Sequence, residues 1–190
     1  MAKIPAPIGN DFCPQTLFLY GTYKKDGTPN FGLFCWISYC CWGSEIGVMA
    51  CIGLDKLTKD RIRETGMFSA NLVTENLLPL ADYCGCNDGY TTDNPRVLPP
   101  CAPGNVLHVP TLTQSPVSME LEVIRTVSLG DGEVYLCKIR HVSAEESLLK
   151  QSESLETRMR RIAPIHTTCR TYFSYDGKVL GAWGELQSRL

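Results

Sequence analysis

The sequence lacks most of the signatures that mark common catalytic classes. It has no Gly-x-Gly-x-x-Gly fingerprint, no Walker loop, no Gly-x-Ser-x-Gly elbow and no His-Glu-x-x-His helix. Rossmann dinucleotide enzymes, P-loop enzymes, α/β-hydrolases and zincin proteases are therefore not indicated. Residues 1–7 carry no apolar signal core, and no later apolar run is long enough to cross a bilayer, which predicts a cytoplasmic protein without membrane contact. Charge of one sign is missing too. The 18 Lys and Arg against 20 Asp and Glu leave a formal net charge of -2, so there is no electrostatic case for nucleic acid. Histidine is scarce, and His108, His141 and His166 stand apart in sequence, which indicates no tuned acid/base pair.

Cysteine, by contrast, is plentiful. The 10 Cys include the pairs Cys40-Cys41 and Cys84-Gly85-Cys86 but no CxxC, a spacing that fits no standard zinc site. In a reducing compartment a disulfide framework is not expected. Most of the thiols are predicted to be buried as small hydrophobes, with no metal bound.

The 190 residues, 44% of them hydrophobic, predict a single domain over 1–190 that buries its own core. Residues 17–23 favour a strand, 24–29 carry turn chemistry and 30–39 form a second apolar run. Residues 46–52 read as a third strand, so the first fifty residues predict an antiparallel meander. After Gly53, Thr58 is the expected helix N-cap, with Leu57 stapling Ile62 and Gly66 as the left-handed stop. A strand over 67–73 and a short apolar helix around Leu77, Leu78, Leu80 and Ala81 follow, limited by Pro79. Residues 85–116 read as a long loop. Strands over 117–127 and 134–142 flank Gly130-Asp131-Gly132, a hairpin signal. The remaining residues, 143–190, form a C-terminal extension whose packing the pattern leaves open; 143–161 suit a charged helix and 171–183 a last hairpin. The pattern predicts a β-dominated fold class, all-β or α+β, with antiparallel strands, the last two closing a barrel, and a few short peripheral helices.

The most suggestive chemistry lies in residues 51–61. A strand ends there, Gly53 allows close approach, and a helix begins beside Lys56, Lys59 and Arg61. Unpaired amides and positive partial charge at a helix N-terminus, with nearby cations, make a phosphate cradle. An ordinary capped helix with solvated charges gives the same pattern. Asn30 after a proline equally suits a turn, and Trp36 a core.

Several short elements, in order and spacing, resemble the flavin reductase-like, FMN-binding split-barrel family. They are Tyr20-Gly21-Thr22 before Asp26-Gly27-Thr28-Pro29-Asn30, then Trp36, then Lys56-Leu57-Thr58 with Ile62, Thr65-Gly66, Phe68 and Asn71-Leu72. Asp82-Tyr83-Cys84-Gly85, Gly89 and Asp93 follow. Leu33, Asp88 and Asn94 depart from the family's pattern. The resemblance implies an antiparallel split β-barrel and FMN as cofactor, with the strand Asn30, Cys35, Trp36 and the strand end Cys51, Gly53 lining the flavin ring. It implies Lys56, Thr58 and Arg61 at the phosphate, and Asn71 at the cofactor or fixing its own strand. It further implies a homodimer that moves electrons from NADH or NADPH, or from a protein donor, to flavin or another acceptor. A thiol-based module using Cys40, Cys41, Cys84, Cys86 and Cys101, and a non-catalytic flavin binder, stand as alternatives.

Overall fold

The computed structural model describes residues 2–90 and 99–190; Asp93 and Asn94 lie outside the described residues. In chain order the strands are β1 (Gln15–Thr16), β2 (Phe18–Tyr23), β3 (Pro29–Phe34), β4 (Ile37–Trp42), β5 (Glu45–Ile52), β6 (Met67–Leu72), β7 (Cys101–Pro103) and β8 (Pro110–Leu112). The long pair β9 (Val117–Leu129) and β10 (Gly132–Ala144) follows, then β11 (His166–Thr168), β12 (Thr171–Phe173) and β13 (Val179–Ala182). Helices α1 (Leu57–Thr65), α2 (Leu78–Cys86) and α3 (Leu155–Ile162) complete the chain. Seven strands form one antiparallel sheet in the order β3-β2-β6-β9-β10-β5-β4, and β7 pairs with β8. The architecture is the β-dominated split barrel expected.

Its first fifty residues are not one meander. The apolar run 30–39 breaks at Cys35-Trp36, and the hairpins β2–β3 and β4–β5 stand at opposite ends of the strand order. A uniform apolar run carries no mark of where a strand changes partner, since either half suits a pleated surface. The Cys51 amide donates to the Trp36 carbonyl at 2.8 Å, which pins the crossing.

Strand β2 separates two cores, because successive side chains point to opposite faces. Tyr20 packs inside the barrel with Phe68, Leu121 and Tyr135. Leu19 packs on the other side under α2, with Leu78, Ile165 and Tyr172. The C-terminal residues belong to this second core: β11, β12 and β13 form a four-stranded sheet with β1. Their anchor is Asp82 on α2, fully buried. It accepts from the Tyr172 hydroxyl at 2.8 Å and from the amides of Gly184, Leu186 and Gln187 at 2.6, 2.7 and 3.0 Å. Four donors fill both carboxylate oxygens.

Two local expectations are corrected. The N-cap of α1 is Lys56, in extended conformation, with no side-chain cap, and Leu57 and Thr58 are already helical. Thr58 is drawn inward because its hydroxyl accepts from the Asn30 amide at 3.0 Å. The cysteines are mostly not buried: Cys137 alone is, four are exposed and five are intermediate. Cys35, Cys84 and Cys101 pack against the margin of the second core as small hydrophobes, while Cys13, Cys41, Cys86 and Cys169 are exposed. Gly66 adopts the left-handed stop, φ 69°, its amide bonded to the Ile62 carbonyl, and Pro79 falls in the first turn of α2.

Candidate functional site

A cavity of about 370 Å³ opens beside the Cys35-Trp36 crossing, a size ordinary for a small-molecule site. One wall belongs to the barrel: Leu33, Phe34, Cys35 and Trp36, then Cys51, Gly53, Leu54 and Lys56 where β5 passes into α1. The other belongs to the N-terminal arm and the tail, including Gln15, Thr167, Cys169, Arg170, Tyr172 and Trp183. Among the described residues none of those lining it is Asp or Glu, and the two charged ones are Lys56 and Arg170.

Five of the nine sequence-chosen residues meet there: Cys35, Trp36, Cys51, Gly53 and Lys56. A Cβ added to Gly53 would meet only a Trp36 ring atom at 3.8 Å, so this backbone faces the open cleft. Burial pushes the Cys35 and Cys51 thiols above their ordinary pKa, which keeps them protonated and weakens them as nucleophiles.

The other four do not line the cavity. Asn30 uses both amide hydrogens internally, on Thr22 Oγ1 at 3.2 Å and Thr58 Oγ1 at 3.0 Å. It thereby ties β3 to β2 and to α1, directly behind the Lys56 corner. Asn71 is fully buried and saturated. It donates to the Leu19 carbonyl and to Ser69 Oγ, both at 2.9 Å, and accepts from the Leu112 amide at 2.9 Å and Ser118 Oγ at 2.7 Å. Its second reading, fixing its own strand, is the one the geometry supports. Arg61 turns to a separate depression with Lys24, Lys25 and His108, where its Nε donates to the Tyr23 carbonyl at 2.8 Å and its guanidinium pairs with Glu64.

The triple-cation cradle is therefore dispersed. Rotation of about 100° per residue sends neighbouring helix side chains in different directions. Lys59 clamps the β9–β10 turn through the Asp131 carbonyl at 2.8 Å, Arg61 faces β2, and Lys56 alone remains at the cavity. The tail residues Arg170 and Trp183 carry no local signal in the sequence. Hairpin turns usually announce themselves by Gly or Asn, and Cys169-Arg170 has neither.

Backbone strain gathers at this cavity. Among the described residues four other than glycine have positive φ, and three of them, Leu54 (59°), Cys169 (47°) and Arg170 (60°), line it. Such conformations persist where the surroundings over-determine them, commonly at functional sites. Among the described residues no three His, Cys, Asp or Glu converge on a metal position, and no helix is long and apolar enough to cross a membrane.

A family model described as a flavin reductase like domain matches residues 10–165. Flavoredoxin of Desulfovibrio vulgaris (Miyazaki F) superposes with a TM-score of 0.77 at 23% identity, covering 97% of this chain and 98% of that one. Flavoredoxin from Methanosarcina acetivorans gives 0.80 at 21% identity, with both chains covered in full, 100% each. The 2-nitrobenzoate 2-nitroreductase of Pseudomonas fluorescens gives 0.75 at 17% identity over 90% and 85% of the two chains. No curated protein matches this chain. At such identities the likeness to the solved structures is one of fold.

Proposed function

The chain belongs to the flavin reductase-like domain family, and from that premise we propose that it binds FMN in the cavity and transfers electrons through it, from NADH, NADPH or a protein donor to flavin or another acceptor. The observation that carries this reading is the composition of the cavity wall: apolar and aromatic surface beside a glycine backbone with open space over it, one cation at a helix N-terminus and, among the described residues, no carboxylate. That set suits a flat ring carrying a phosphate, because an anion is favoured at a helix N-terminus and would be repelled by a nearby acid.

In this reading Trp36, Cys35, Cys51 and Gly53 bound the ring, and Lys56, the N-cap of α1, holds the phosphate; the first amide of the helix, on Leu57, already donates to the Asp88 carbonyl at 3.1 Å. FMN when bound supplies the two-electron chemistry. The chain binds, orients and excludes water, which agrees with high-pKa thiols and no acid/base pair in the wall. Asn30 and Thr58 serve by positioning: their hydrogen bond fixes the start of α1 against β3.

A homodimer is part of the proposal. Cross-strand partners share a sheet face, so the ladder rows Met49–Leu136 and Cys51–Val134–Val127 lie on one side of the barrel. Met49, Val127 and Leu129 there, and Trp36 at the cavity rim, are exposed large apolar side chains. An apolar face of this kind marks an association surface, and a second copy of the chain is the occupant that would also close the cleft. Sedimentation equilibrium at micromolar concentration is expected to give twice the 21.1 kDa chain mass; a monomer refutes this part.

The direct test is the visible spectrum of the purified protein, with mass identification of what heat releases. Paired flavin bands and released FMN are expected, followed by anaerobic bleaching with NADH or NADPH. Bleaching only by a reduced iron–sulfur protein selects the protein-donor route. A colourless protein that refuses added FMN overturns the reading.

A further inference from the structure

The tail wall holds the feature that the flavin reading leaves unused. Cys169 and Arg170 are the two residues between β11 and β12, and both are left-handed, at φ 47° and 60°. A two-residue hairpin turn of this hand is the place where Gly or Asn is preferred, because a Cβ there crowds the backbone. The guanidinium lies over the Trp183 ring, 4.8 Å from its centroid. The Trp183 amide returns to the Arg170 carbonyl at 2.8 Å, so β12 and the segment after β13 hold the cation and its aromatic plate together. Trp183 is backed in turn by α2: a Cβ on Gly85 would approach its Nε1 to 2.9 Å.

This cation is placed but not paired. Arg170 has no hydrogen-bond acceptor and no carboxylate partner among the described residues, and neither has Lys56 across the cavity. Among the described residues the cavity wall contains no Asp or Glu. Asp82, beneath the same tail, has its oxygens filled by four tail donors. Among the described residues the cavity thus presents two unneutralised cations from two separate elements, Lys56 at the barrel wall and Arg170 at the tail wall.

We infer that Arg170, stacked on Trp183, is a specificity-determining residue that docks the anionic group, carboxylate or phosphate, of the second reactant against the tail wall. The inference rests on the proposed function for the identity of the first reactant, with Lys56 serving the flavin phosphate. A guanidinium fixed on an aromatic plate presents its donor edges in a set direction and loses little freedom on binding a planar anion. It is positioned to select, not to react.

The test uses the full chain, with and without added FMN, and three probes followed by titration calorimetry: benzoate, its neutral counterpart benzamide, and ADP. Arg170→Asn is the informative variant, because Asn tolerates the left-handed backbone, so the hairpin keeps its shape while the cation is lost. Wild type is expected to bind benzoate or ADP, and Arg170→Asn to lose about tenfold or more of that affinity. Benzamide binding is expected to stay unchanged, with Arg170→Lys falling between. A response to benzoate identifies an aromatic carboxylate as the ligand class; a response to ADP identifies a nucleotide phosphate, as in a pyridine-nucleotide donor. Three results overturn the inference: no anionic probe binding to wild type, equal affinity in Arg170→Asn, or a parallel loss for benzamide. A tenfold loss of FMN affinity in Arg170→Asn also overturns it, by assigning the cation to the cofactor. Failure of the flavin reading itself is seen separately, as wild-type protein that takes up no FMN.

Discussion

The two walls of the cavity are held by different means. On the barrel side β5 pairs six residues with β10 and six with β4, so Cys51 and the Gly53 corner hang from a continuous ladder. On the tail side the ladders run to two or three pairs each: two between β1 and β11, three between β11 and β12, three between β12 and β13. Ladders that short do not hold a wall. The tail depends on its apolar contacts with α2 and on one buried carboxylate, Asp82. The barrel wall is a fixed frame, and the tail wall is a docked part held by a latch.

The hardest blow to this contrast is Asp82→Ala. It leaves the Tyr172 hydroxyl and three amides without an acceptor, and each buried donor left unpaired costs roughly 1–3 kcal/mol. A loss of about 3 kcal/mol or more is expected. Hydrogen exchange should show protection vanishing in β11, β12 and the segment 184–187 while β6, β9 and β10 keep theirs. Uniform loss across both regions would mean that tail and barrel unfold as one unit.

A smaller and more selective effect separates the cations of α1. Lys56→Ala removes a side chain with no partner among the described residues, so stability should hardly change. FMN affinity should fall about 10- to 100-fold, the range for one charge-assisted hydrogen bond. Arg61→Ala should do the reverse: FMN affinity within about twofold, and stability lower by roughly 1–3 kcal/mol because the Tyr23 carbonyl and Glu64 lose their donor. Flavin fluorescence titration and chemical denaturation read the two quantities. Equal loss of FMN affinity in both variants would restore the triple-cation cradle.

What the sequence revealed follows the same division. Strand periodicity, the Gly130-Asp131 turn and the Gly66 stop are local signals, and they located β2, β6, the β9–β10 hairpin and the end of α1. The barrel half of the site was legible because Trp36, Cys51, Gly53 and Lys56 sit at ends of elements that such signals mark. Asn30, Thr58, Arg61 and Asn71 stand out by type and spacing alone, and packing decides their direction: a buried Asn bonds to whatever donors and acceptors surround it. The tail wall was legible only at its last hairpin, where Asp176-Gly177 marks the β12–β13 turn inside the expected 171–183; the rest was hidden for a different reason. Its strands are three or four residues long, its first hairpin turn lacks Gly and Asn, and its partners Gln15 and Asp82 lie far away in sequence.

The smallest expected effect tests the latch by pH. His166 on β11 faces Thr16 across the β1–β11 ladder, with its Nδ1 3.3 Å from Thr16 Oγ1. Burial holds its pKa below the ordinary value. The unfolded tail, with a histidine pKa of about 6.5, therefore takes up a proton at higher pH than the docked tail does. Stability rises with pH wherever the unfolded state binds more protons, so the His166 contribution is complete above pH of about 6.5 and is lost as pH falls through the lowered folded pKa. Protection factors in β11 and β12 should drop between pH 7.5 and pH 5 more than those in β9 and β10, and His166→Asn should flatten the difference. If the difference survives in His166→Asn, another group sets the tail's pH dependence. If β9 and β10 follow the same curve, the tail is coupled to the barrel more tightly than its short ladders imply.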